Sequence, residues 1–117
     1  MLDEAIKLKN QEDYRGAARV LSHIVKEFPT CTPAFMLLGG LYLHEFKKPR
    51  KAVPCFEAAI GLAPRSEMCS LGLFHSLWNL DRVVEALEEL KRFQMISHSK
   101  DYDEILAELK EKWLADE

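Results

Sequence analysis

Apolar side chains return along this chain at the three- and four-residue spacing of a helix face, in blocks separated by short polar turns. Val20, Leu21, Ile24, Val25 and Phe28 keep that rhythm until Pro29, which cannot continue a helix. Ile105, Leu109 and Trp113 recur at i, i+4 and i+8, joined by Leu106 and interspersed with Lys, Glu and Asp, giving one narrow stripe on a polar helix. Start signals separate the blocks. Asp13 precedes Tyr14 as a cap, Thr32 stands as N-cap before Pro33, and Ser66 stands before Glu67, whose carboxylate suits the positive end of a helix. Asp101 with Glu104 three residues on reads as a capping box in its Asp variant. The pattern predicts seven helices.

Between Thr32 and Pro64 the apolar positions are more specific. Phe35 is followed by Leu38-Gly39, then Tyr42, a charged turn, Ala52, Phe56, Ala59 and Pro64. Small residues let two backbones approach, while the large ones fill the space beside that approach. This spacing resembles the tetratricopeptide (TPR) repeat, a helix-turn-helix unit of about 34 residues. The resemblance implies an all-α solenoid of three repeats plus a C-terminal capping helix, in one domain over residues 1–117. Its repeats would cover residues 1–31, 32–65 and 66–98, with the cap at 99–117.

Aligned on the closing prolines Pro29 and Pro64, the first repeat places Ala5, Leu8, Ala17, Leu21 and Ile24 at the motif positions, without a leading aromatic. The second is one residue longer than the usual repeat, and Glu45–Arg50 is expected to extend its inter-helix turn. Pro49 suits a helix start, but Pro54 falls inside that helix, so a late start or a bend is expected there. In the third, Leu73, Phe74, Leu77, Ala86, Leu90 and Phe93 fall in register, with Asp81 in the turn and His98 at the closing-proline place. Phe74 stands where the family has Gly or Ala, which argues against close packing of that helix. A shift of two residues would instead put Leu71-Gly72 in the Leu-Gly place and His75 in the Tyr place.

Composition narrows the picture. At 48% hydrophobic and 30% charged over 117 residues, the chain has the profile of a single globular domain, far from disorder. Its apolar runs are too short to span a bilayer, and Met1-Leu2-Asp3-Glu4 does not read as a signal peptide, so a cytoplasmic address is expected. Cys31, Cys55 and Cys69 are odd in number and lack a CxxC pair, which favours free thiols. Net charge is −3, concentrated in residues 99–117 with seven acids and three lysines. Neither part is basic enough for a nucleic-acid surface.

No motif with catalytic spacing is present: no phosphate-cradling loop, nucleophile elbow, HExxH or paired cysteines. A non-catalytic chain without cofactor or metal is expected. His23 and His98 read as surface residues, and Lys47, Lys48, Arg50 and Lys51 as a solvated turn. The resemblance puts His44 and His75 on the first helices of adjacent repeats, facing a concave groove. A metal there would need further ligands, and only Cys69 is a loose candidate. Hydrogen bonding to a bound peptide, or a plain surface role, remains for the two histidines.

Carried over residue by residue, the family's concave positions are Met36, Gly40, Leu43 and His44 in the second repeat. Met68, Leu71, His75, Trp78 and Asn79 follow in the third, with Leu2 and Ile6 in the first. A solvated surface does not normally gather Met, Leu and Trp in this way. They are either covered by the last helix, by the termini or by a second copy of the chain, or they take an apolar or amphipathic segment of another protein. The clamp that some TPR proteins use for an acidic C-terminus is disfavoured, because only Lys9, Asn10 and Asn79 are placed for it. The resemblance therefore implies a protein-protein interaction module binding a peptide or amphipathic segment. Alternatives are a small TPR chaperone or toxin-immunity-type protein masking one partner, or a self-associating assembly unit forming homodimers or higher species.

Overall fold

The computed structural model describes the backbone of residues 1–115 and side chains through Lys112. Trp113, the third member of the last stripe, has its side chain outside the described residues. Seven helices and no strand occur among the described residues: α1 (Leu2–Asn10), α2 (Tyr14–Glu27), α3 (Thr32–Gly40), α4 (Pro49–Leu62), α5 (Glu67–Asn79), α6 (Val83–Ile96) and α7 (Lys100–Ala115). From α1 to α6 each helix packs on the next in chain order, in a body of 50 × 26 × 21 Å. That elongation is what stacking of helix pairs produces.

Equivalent backbone features recur in all three pairs. Glu12, Lys47 and Asp81 sit in the left-handed region at φ of 63°, 55° and 59°, one in each turn between paired helices. The amides just after them, on Asp13, Lys48 and Arg82, donate to the carbonyls of Leu8, Tyr42 and Leu77 at 2.9, 2.6 and 3.0 Å. These three acceptors are the residues that the repeat alignment treats as equivalent. The third repeat therefore lies in the unshifted register, and the two-residue alternative falls away.

The extra residue of the second repeat is not in the turn. It is absorbed by a π-helical continuation of α3 over Leu41–Glu45, where the Phe46 amide donates to the Leu41 carbonyl at 2.9 Å. Three further expectations are corrected. Helix α3 starts one residue early, with Cys31 as N-cap and Thr32 and Pro33 in its first turn. Helix α4 starts at Pro49, so of the two expected outcomes the late start does not occur, and it runs through Pro54, whose ring is exposed and whose missing N–H removes one bond close to the helix start. Helix α7 starts at Lys100, because Ser99 rather than Asp101 is the cap: its hydroxyl accepts from the Tyr102 amide at 3.2 Å. The caps at Asp13 and Ser66 are as expected, accepting from the Gly16 and Cys69 amides at 3.0 and 3.3 Å.

The core is a string of two clusters. One joins Ala5, Ala17, Leu21, Ile24, Leu38 and Leu41; the other joins Ala52, Phe56, Leu73, Phe74, Phe93 and Tyr102; Tyr42 touches both. Phe56 is the link from one repeat to the next. A Cβ at Gly39 would lie 3.0 Å from its ring and one at Gly72 only 2.3 Å, so the ring is wedged between two glycines on α3 and α5. Gly72 therefore serves the preceding repeat's aromatic.

Phe74 packs closely after all, on the last helix. Its ring meets Tyr102 edge-on at 5.6 Å, and Phe93 meets the same Tyr102 at 5.8 Å. Ser70, at the position of the second repeat's leading Phe35, completes the junction through its hydroxyl, 2.5 Å from Glu89 Oε2 and 2.7 Å from the Tyr102 hydroxyl. Since the single Ser70 proton goes to the carboxylate, Tyr102 donates to Ser70. Glu89 also accepts from Arg92 Nε and Nη2 at 2.8 and 2.7 Å, and Arg92 Nη1 donates to the Pro64 carbonyl at 3.1 Å. Burial holds the Tyr102 phenol well above its ordinary range. Among the described residues no buried side-chain polar atom lacks a partner.

Candidate functional site

Helices α3 and α5, the first members of their pairs, run beside each other and leave a seam. Gly40 leaves that seam open, since a side chain built there would meet nothing, whereas the space at Gly72 is filled by the Phe56 ring. Larger residues rise on either side, so a cleft of about 520 Å³ forms, lined by Met36, Leu37, Gly40, Phe56, Met68, Leu71 and Gly72 with His44 and His75. Lys9 of α1, Glu67 of α5 and Asp101 of α7 supply its charged rim. Met68 is 68% exposed, a large apolar side chain standing in solvent at the mouth.

A second cleft of about 460 Å³ continues the seam, lined by Leu43, His44, Lys47, Pro49, His75 and Asn79. The two clefts share His44 and His75. They form one groove, apolar at its start and polar at its end. The polar half exists because the π-helical turn carries Leu43 and His44 before Lys47 begins the next turn.

The nine residues assigned to the groove thus fall in three places. Met36, Gly40, His44, Met68, Leu71 and His75 come together in the first cleft. Leu43 and Asn79 lie in the second, where Leu43 is mostly a core residue, 5% exposed. Trp78 stands apart. It stacks on Phe74 at 5.6 Å and 22°, and faces Ile105 and Leu109 of α7 across a small cleft of about 190 Å³. Covering by the last helix therefore applies to Trp78, while Met68 stays open. Leu2 packs into the first core cluster, and Ile6 is exposed outside both clefts.

Lys9, which the sequence places for a carboxylate clamp, does line the cleft, whereas Glu67 and Asp101 are additions that the repeat positions do not give. Asp101 arrives only because α7 begins beside α5, which the repeat pattern does not specify. The His75 imidazole, partly shielded, is held below its ordinary value chiefly by burial; His44 pushes the same way and Asp101 opposes. Cys55 is buried in the first cluster, and desolvation pushes its thiol up to about 11. The three cysteines are free. Among the described residues no group of three or more His, Cys, Asp or Glu side chains is placed to hold a metal, and no helix is long and apolar enough to cross a membrane.

No family model matches the sequence, and no curated protein matches it. Among solved structures the chain is similar to one of MamA, described as "MamA RS-1 ArsTM double mutant", with a TM-score of 0.72 and 23% identity. The match covers 79% of this chain and 51% of the MamA chain, so this chain spans about half that chain's length. MamA is a TPR-containing protein, and the likeness supports a TPR-like, all-α helical-repeat fold here.

Proposed function

We propose that this chain is a non-catalytic protein-binding module whose α3–α5 groove takes an apolar or amphipathic segment of another protein. The carrying observation is the first cleft: Met68 stands open to solvent beside the part-buried Met36 and Leu71, with Gly40 unobstructed among them, on a fold of the TPR type. Two methionines give such a wall adaptable contacts, and the open space at Gly40 lets a partner backbone approach. The groove is large enough for a few side chains of a helix or an extended strand.

Selection of displayed 16-residue peptides on the purified protein tests this reading. Binders should carry a run of large apolar residues, and Met68→Glu should abolish capture while helicity and melting stay at wild-type values; Met36→Glu should abolish it too, with some loss of stability because Met36 packs on the core. Failure to select any peptide, or binders indifferent to both charges, would overturn it. Met68 is the better probe than Trp78, because Trp78 supports Phe74 and its truncation would disturb packing.

A further inference from the structure

The groove's two halves differ in chemistry. The first is walled by Met36, Met68 and Leu71, and its acids, Glu67 and Asp101, sit at the rim. The second presents His44, Lys47 and His75 and has no carboxylate in its lining. An occupant that lays apolar side chains in the first half brings its next residues onto that imidazole and ammonium cluster. Neutral or cationic residues would leave the cluster desolvated without compensation; a carboxylate would pair with it. Building on the binding role proposed above, we infer that the groove's partner is an amphipathic protein segment with an Asp or Glu flanking its apolar face, gripped by His44 and His75, and bound more tightly as pH falls.

The charges around His75 set the direction. His44 faces it from the π-helical turn, Lys47 from the following turn, Lys9 from α1, Glu67 from its own helix, and Asp101 and Glu108 from α7. Among the described residues neither groove histidine has an ion-pair partner; the one histidine that does is His98, 3.0 Å from Asp103 at the surface. In the free protein burial and His44 hold His75 below its ordinary value, which favours the neutral imidazole. A partner carboxylate beside it raises that value in the complex. Binding then takes up a proton, and affinity rises as pH falls through the bound-state value and levels off below the free-state one. One proton taken up gives at most about a tenfold change in Kd per pH unit.

The probe is the tightest peptide selected as described above, resynthesised with each Asp or Glu changed to Asn or Gln. The expected result is that the acidic peptide binds at least about fivefold more tightly at pH 5.5 than at pH 7.5. Its amide version should show no such change, and His44→Gln with His75→Gln should remove the dependence while leaving the melting profile intact. His75→Lys should restore tight binding at pH 7.5 without pH dependence, which a merely structural histidine would not do. Apolar peptides that bind without an acidic residue, or a pH response that survives in the double Gln variant, would overturn the inference and leave the binding role standing. Failure to select any peptide would overturn both.

Discussion

Two junctions hold the stack together by opposite means. Between the second repeat and α5, the Phe56 ring fills the space over Gly39 and Gly72, and the contact is apolar and steric. Between the third repeat and α7, Phe74 and Phe93 close on Tyr102, whose hydroxyl continues through Ser70 to the Glu89–Arg92 pair. The first keeps the motif's aromatic at Phe56 and small residue at Gly39 and adds a second small residue, Gly72, off the motif. The second breaks it at three letters, Ser70, Phe74 and Phe93, and all three departures converge on one residue of the last helix. A repeat that meets another repeat keeps the small-residue seam, whereas one that meets a terminal helix is free to exchange it for a polar lock.

The largest expected effect is at the steric junction. Gly72→Val places side-chain carbon inside the Phe56 ring's space, and overpacking should remove about 3 kcal/mol, read by urea unfolding. At the polar junction, Glu89→Ala leaves Ser70 and the partly exposed Arg92 without their shared acceptor, and about 2 kcal/mol should go. An equal loss at the two sites would weaken the contrast, since Arg92 can still turn to solvent whereas Phe56 cannot leave its slot.

Alkaline unfolding separates the first core cluster, which holds Cys55, from the Tyr102 junction. Cys55 and Tyr102 both have folded values raised by burial, so each contributes stability that is complete below its unfolded value and is lost as pH rises. For Cys55 the decline starts near 9.0 and runs to about 11. For Tyr102 it starts only near 10.0. The slope is at most about 1.4 kcal/mol per pH unit for each group. A Cys55→Ala variant should keep a flat stability profile to higher pH than wild type, measured by denaturation midpoints across the series. Tyr102→Phe is milder. It removes one donor while Ser70 still serves Glu89, and about 1 kcal/mol is expected from thermal melts at neutral pH.

The same contrast explains what could be read from the residues. The all-α repeat architecture was legible because Phe35, Leu38, Gly39, Tyr42, Ala52, Phe56 and Ala59 stand at motif spacing, each answering a local packing need. Caps at Asp13 and Ser66 were legible for the same reason. The polar lock was not, since Ser70, Glu89 and Tyr102 lie on three helices and no spacing rule connects them. The π-helical turn escaped as well: an extra residue costs little whether it enters a turn or widens a helix, and sequence does not distinguish the two. In the groove, Met36, Met68, Leu71 and the two histidines follow from repeat geometry. For Trp78 the repeat positions leave open whether it is covered, and Ile105 and Leu109 of α7 reach it from outside the repeat pattern.

The smallest stability effect belongs to the residue on which the binding reading depends most. Met68→Glu changes a side chain that is 68% exposed, so its melting temperature should stay within about 2 °C of wild type. Titrating a selected apolar peptide against wild type and Met68→Glu, with melts on the same samples, tests whether scaffold and binding surface are separate. The account predicts at least a tenfold weaker Kd, about 1.4 kcal/mol, with an unchanged melt. An unchanged Kd, or a lost Kd accompanied by a collapsed melt, would contradict it.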